Sequence, residues 1–186
     1  FHSQCVEALF FHIPGLKICT PSTAEDAKGL LLSAIRDPDP VLFFEHKYLY
    51  RRQRAEHLSD DALPLGQAAI RRAGKDMTIV TYGAMVHRAL EAAEAADREG
   101  VSVEVLDLRT LCPLDRASVL ESVRRTSKCI VLHEDNKTGG IGAEIAALLS
   151  EEAFDSLDGP VLRIAGPDVH FSFSSALEQA YLPSAE

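Results

Sequence analysis

The chain has 186 residues, 46% of them apolar and 25% charged, the balance of an ordinary globular protein. A net charge of −9 repels polyanions and speaks against nucleic acid as a partner. No apolar run approaches the roughly 20 residues that a membrane-spanning helix needs, so no membrane partner is expected.

Helix and strand signals alternate along the chain. Residues 3–13 read as a short helix ended by Pro14-Gly15, and residues 16–20 as a short strand. Ser22 and Glu25 fit a capping box, the serine oxygen taking a helix-start amide while the glutamate reaches back. The helix that follows carries Ala27, Leu30, Leu31, Ala34 and Ile35 on one apolar face. Asp37-Pro38-Asp39-Pro40 stops it, because proline disfavours helical geometry in the residue before it. Residues 41–44 are a buried-strand candidate. Residues 46–65 are rich in charge and poor in apolar periodicity, which predicts a surface connection.

A second unit begins after that break. Residues 66–74 suit an edge strand, and residues 77–82 a strand turned by Gly83. Val86, Ala89, Leu90 and Ala93 line a helix that Gly100 ends as a left-handed cap. Residues 101–106 form a strand, and Asp115 caps a helix bearing Val119, Leu120 and Val123. Residues 129–132, a helix with Ile141, Ile145, Leu148 and Leu149, and residues 161–164 complete the series. Alternation at this spacing predicts an α/β fold: a doubly wound parallel sheet with helices on both faces and right-handed crossovers.

Several residues have chemistry to offer. His2 titrates near neutral pH and can pass protons; its structural alternative is a histidine satisfied at a subunit interface. His12, before Pro14-Gly15, suits a helix end, where a histidine interacts favourably with the dipole. The helix end at 30–39 leaves carbonyls without intrahelical partners, and carbonyls converging with an aspartate oxygen make a hard-cation site; a proline-stabilised turn is the plainer reading. Glu45-His46-Lys47 closes a strand, where sheet edges often face ligands. Thr138-Gly139-Gly140-Ile141-Gly142 lacks a complete phosphate-binding fingerprint, so close helix–sheet packing explains its glycines better, and a nucleotide-binding domain is disfavoured. His133-Glu134-Asp135 precedes it, but a metal role would need a third ligand to which the sequence does not point. Cysteines 5, 19, 112 and 129 form no Cys-x-x-Cys pair and no zinc-finger spacing, which reads as reduced structural thiols in a cytoplasmic setting.

His2-Ser3-Gln4, Pro14-Gly15-Leu16-Lys17, Asp26-Ala27-Lys28-Gly29-Leu30-Leu31, the run from Tyr82 to Val86 and Leu106-Asp107-Leu108-Arg109-Thr110-Leu111-x-Pro113-Leu114-Asp115 together resemble one family. It is the beta subunit of the thiamine-diphosphate-dependent decarboxylase of 2-oxo acid dehydrogenase complexes. The resemblance covers essentially the whole chain, and implies one cut at both ends. It implies the end of a pyrimidine-binding domain at 1–50, a linker at 51–65 and a transketolase C-terminal-like domain at 66–186. The reaction implied is oxidative decarboxylation of a 2-oxo acid with acyl transfer to a lipoyl group. His133-Glu134 followed by Thr138-Gly139-Gly140 leans toward branched-chain substrates over pyruvate.

By the same resemblance, His2 occupies the position that faces the thiazolium end of the cofactor and assists reductive acylation of lipoate. Ala34, Asp37 and Asp39 match a turn that helps hold a structural potassium ion. Thiamine diphosphate and magnesium would be bound by residues upstream and by an alpha subunit, so the piece alone is expected inactive. The partners implied are that alpha subunit, a second beta subunit in a heterotetramer, and the lipoyl transacylase core. The competing reading is a non-catalytic module that dimerises and docks the transacylase.

Overall fold

The computed structural model describes residues 4–185. A short helix α1 (Glu7–Phe11) leads into β1 (Lys17–Cys19), which runs parallel to β2 (Val41–Phe43) through the crossover helix α2 (Ala24–Arg36). His12 sits at the C-cap of α1, where the sequence placed a helix-end histidine.

Helix α2 starts one residue later than the capping box implied. The N-cap is Thr23, whose hydroxyl oxygen accepts from the Asp26 amide at 3.1 Å. Ser22 is instead buried, and its hydroxyl donates to Asp107 Oδ2 at 2.5 Å. A buried carboxylate is the stronger acceptor, so it claims the serine and leaves the cap to threonine. On the predicted apolar stripe, Leu30 is fully buried while Leu31 and Ile35 remain exposed.

The larger sheet has the order β3-β5-β4-β7-β8. Strands β4 (Met77–Thr81), β5 (Val103–Asp107), β7 (Cys129–Asn136) and β8 (Leu162–Gly166) are parallel, and β3 (Ala69–Arg72) adds an antiparallel edge. Helices α3 (Met85–Arg98), α4 (Arg116–Thr126) and α5 (Ile141–Glu152) make the crossovers, and α6 (Ser175–Tyr181) closes the series. Side-chain alternation sorts the core onto two faces. Ile79, Val105 and Leu132 pack with Met85, Ala89 and Ala93 of α3; Val80, Leu106 and Val131 pack with Val119 and Val123 of α4 and Ile145 and Leu149 of α5. Asp115 caps α4 as expected, taking the Ser118 amide at 3.0 Å.

A strand not foreseen from the sequence, β6 (Thr110–Cys112), leaves the second unit and pairs antiparallel with β1, completing a small sheet β2-β1-β6. Arg109, with φ of 58°, makes the turn into it. The junction is tied by charge. Asp107, fully buried at the end of β5, accepts from Ser22, from Arg71 Nε at 3.0 Å and from the Arg109 amide at 3.0 Å. Arg71 also pairs with buried Asp26, and Arg109 Nη1 lies 3.4 Å from Asp26 Oδ1. The connection between units does not float free. Leu63 bonds to the Gly29 carbonyl at 3.0 Å and accepts from Ser33 at 2.5 Å, and Lys28 pairs with Asp60 at 2.6 Å.

Candidate functional site

The order β5-β4-β7-β8 reverses direction between β4 and β7. Open α/β sheets bind ligands beyond the carboxyl ends of the strands at such a switch point. A cleft of about 670 Å³ opens there. Its floor is Tyr82-Gly83-Ala84-Met85 after β4 and Glu134 on β7. Glu45-His46-Lys47 after β2 and the segment Gln4-Cys5-Val6-Glu7 form its walls, and Phe171, Phe173 and Glu178 close one side.

The electrostatics of this cleft are lopsided. His46 Nε2 and Glu134 Oε2 lie 3.0 Å apart. Burial would lower the His46 pKa, but the hydrogen bond and charge of Glu134, with Glu7 beyond, outweigh it and raise it. Glu7 is only 7% exposed, and its Oε2 has no hydrogen-bond partner among the described residues. Burial first, opposed by a backbone hydrogen bond and reinforced by Asp135 and Glu134, pushes its carboxyl up to about 7. The Cys5 thiol is held above its ordinary range by burial and then by Glu7, Glu134 and Asp135. Asp135 is raised by burial, with Glu134 adding to it.

Behind the floor, His133 is fully buried and stacks on Tyr82 with ring centroids 6.4 Å apart. Burial pushes its ring down to about 4, so it stays neutral. The Tyr82 hydroxyl is buried without a partner among the described residues. Two of the glycines after Thr138, Gly140 and Gly142, pack on this histidine. A Cβ on Gly140 would come within 2.6 Å of His133 Cε1, and one on Gly142 within 2.7 Å of Nε2. Close packing, as the sequence suggested, accounts for them.

His2 lies outside the described residues; Gln4 and Cys5, on the same segment, line the cleft. Ala34 lies in the last turn of α2, and Asp37 and Asp39 after it meet Lys17 at the start of β1, whereas Thr20 beyond the end of β1 reaches the cleft. Lys17 Nζ donates to Asp37 Oδ1 and Oδ2 at 2.7 and 2.8 Å and reaches Asp39 Oδ2 at 3.1 Å. Its hydrogen bond holds the Asp37 carboxyl below the usual range.

Sequence reasoning missed the conjunction at the cleft. Cys5 and Glu7 carried no signal of their own. His46 and Glu134 were each noticed at a strand end, but only the topology brings them together.

Comparison with known proteins bears on this arrangement. Residues 66–186 match the model of the transketolase C-terminal domain, and residues 1–53 that of the transketolase pyrimidine binding domain. The chain is 51% identical over 170 residues to the 2-oxoisovalerate dehydrogenase subunit beta of Bacillus subtilis, covering 91% of this chain and 52% of that protein. It is 49% identical over 189 residues to the mitochondrial pyruvate dehydrogenase E1 component subunit beta-2 of Oryza sativa, covering 100% of this chain and 50% of that one. The chain thus spans about half the length of these relatives. Among solved structures it resembles a split gene transketolase, described as an inactive beta4 tetramer, with a TM-score of 0.78 and 31% identity over 96% of this chain and 56% of that chain.

Proposed function

Because the chain belongs to the transketolase C-terminal domain family, we propose that it forms part of the beta subunit of a thiamine-diphosphate-dependent 2-oxo acid dehydrogenase. The substrate is a branched-chain 2-oxo acid, with pyruvate the alternative, and the acyl group passes to a lipoyl carrier. The observation that carries this reading is the cleft at the switch point, which the segment of Gln4 and Cys5 lines. His2 lies two residues before Gln4 and is proposed as the imidazole that moves a proton during acyl transfer.

The described residues do not fit the diphosphate or its magnesium. Gly140 and Gly142 are taken up by His133, the acidic cleft repels a diphosphate, and its thiol and imidazole are poor ligands for magnesium. Both would be held by the rest of the beta chain and by an alpha subunit. The cleft residues of this chain would bound the reacting end and hold protons there, Glu7 at about pH 7 among them. The turn at Ala34, Asp37 and Asp39 has the all-oxygen character a potassium ion needs. Lys17 already neutralises both carboxylates, so a cation there would have to share them.

The proposed partners are the alpha subunit and a second beta subunit, in an alpha2-beta2 heterotetramer, and the lipoyl transacylase core. Exposed Leu31 and Ile35 on α2 and Phe173 beside the cleft are apolar surface suited to such contacts. No helix among the described residues is long and apolar enough to cross a membrane. A cytoplasmic location is proposed from the cysteine pattern alone.

The test is co-expression of the whole polypeptide carrying this sequence with its alpha-type partner, followed by decarboxylation assays on 2-oxoisovalerate and pyruvate. Turnover of the branched substrate is expected, with acyl transfer to lipoyl lost in His2→Ala while decarboxylation persists. The chain without its partner is expected to be inactive, as the relative described as a beta4 tetramer is. Turnover by the unpartnered chain, or wild-type lipoyl transfer in His2→Ala, would overturn the reading.

A further inference from the structure

We propose that Cys5, His46 and Glu134 form a binding site for a divalent zinc-class metal ion in the cleft. One ligand atom from each lies within 4.8 Å of those of the other two. His46 Nε2 and Glu134 Oε2, at 3.0 Å, already stand about as close as two ligands of one ion do. Zinc–sulfur bonds of about 2.3 Å and zinc–nitrogen or –oxygen bonds of about 2.0–2.2 Å place tetrahedral ligands about 3.3–3.8 Å apart, so the group has about an ångström to close.

The donor set selects the ion class. Calcium, magnesium and potassium take oxygen ligands, whereas a thiol beside an imidazole and a carboxylate suits zinc. Three protein ligands leave a fourth position open to the cleft, which gives the ion a way in and keeps a water or second ligand accessible. As the metal–sulfur bond forms, the Cys5 proton leaves to solvent.

A second, independent observation points to a cation. Glu7 is more than nine-tenths buried, lines the same cleft and leaves Oε2 without a partner among the described residues. With Glu134 and Asp135 it sets three carboxyl groups around Cys5, of which Glu134 is the one paired with His46 among the described residues. A dication would supply the missing positive charge, with Glu7 supporting the ligands. The three ligands come from the N-terminal segment, the end of β2 and β7, so the ion would tie the segment just after His2 to both units.

The test uses the whole polypeptide with the subunit it assembles with, stripped by a chelator and then titrated with zinc and with cobalt. Retention of one zinc per chain after desalting is expected, together with a thiolate-to-cobalt charge-transfer band in the near ultraviolet. Cys5→Ser should abolish that band, and Cys112→Ser should keep it. Glu7→Gln should weaken zinc binding by about 10–100-fold, the usual range for a group that supports metal ligands. The band is read on the unsubstituted protein, so a misfolded variant does not decide the matter. Absence of retained zinc and of the band there, or a band that survives in a folded Cys5→Ser protein, would overturn the site. Neither readout depends on decarboxylation, so this inference and the proposed activity fail separately.

Discussion

Two buried ionic clusters lie on either side of β5 and β4, and they are built on opposite terms. At the unit junction, the carboxylates of Asp26 and Asp107 face the guanidiniums of Arg71 and Arg109, with Ser22 and a backbone amide supplying further donors. In the cleft, the one ion pair that Glu7, Glu134 and Asp135 make among the described residues is that of Glu134 with His46, and a Glu7 oxygen is left without a partner among them. Buried charge is costly unless it is paired and hydrogen-bonded. The first cluster meets that condition and holds the molecule together. The second does not, and such under-compensated groups gather where a ligand completes them.

The strongest way to break the contrast is to unbalance the satisfied cluster. Arg71→Met leaves Asp107 and Asp26, 0% and 2% exposed, with Arg109 the one guanidinium beside them among the described residues. A loss of about 3–5 kcal/mol of stability is expected, measured by urea denaturation with circular dichroism. A variant within about 0.5 kcal/mol of the parent would mean the junction is held by packing instead.

Removing charge from the other cluster should do the reverse. The Glu7 carboxyl binds its proton up to about pH 7 in the fold, against 4.5 for an ordinary glutamate. Between those values the folded state holds more protons than the unfolded one, so stability falls as pH rises and the cost is complete above pH 7. Glu7→Gln should therefore stabilise the metal-free protein at pH 8 by up to about 3 kcal/mol and at pH 5 by less than about 1 kcal/mol. Equal effects at both pH values in denaturation curves would show that the charge is already compensated.

The smallest effect is local. Glu134→Gln removes the partner that raises His46, leaving burial to lower it. The histidine's titration, followed by NMR, should move from above 6.5 to below it. In the parent, the pair's contribution is full below about pH 6.5 and fades as pH rises through the elevated value. An unmoved titration would separate His46 from Glu134 in solution.

The contrast also explains what could be read from residues alone. Helix α3 and the Asp115 cap were legible because periodicity and a local side-chain bond define them. Strand β6 was not, since its three residues form a strand only by meeting β1 from a distant part of the chain. Ser22 was assigned a local role that a buried carboxylate overrode. The glycines after Thr138 were read as packing, and His133 is what Gly140 and Gly142 pack on. The cleft cluster left no spacing signature, because positions 5, 46 and 134 meet only through the sheet order.

The excursion of Thr110–Cys112 into the first sheet has one further consequence. The polypeptide is threaded so that its later half supplies the outer ribbon of the earlier one. A protease that nicked the exposed stretch near Glu56 and His57 would sever the covalent link without releasing either piece. The halves would still be laced by the main-chain bonds of β1 with β6 and by the Arg71–Asp26 pair.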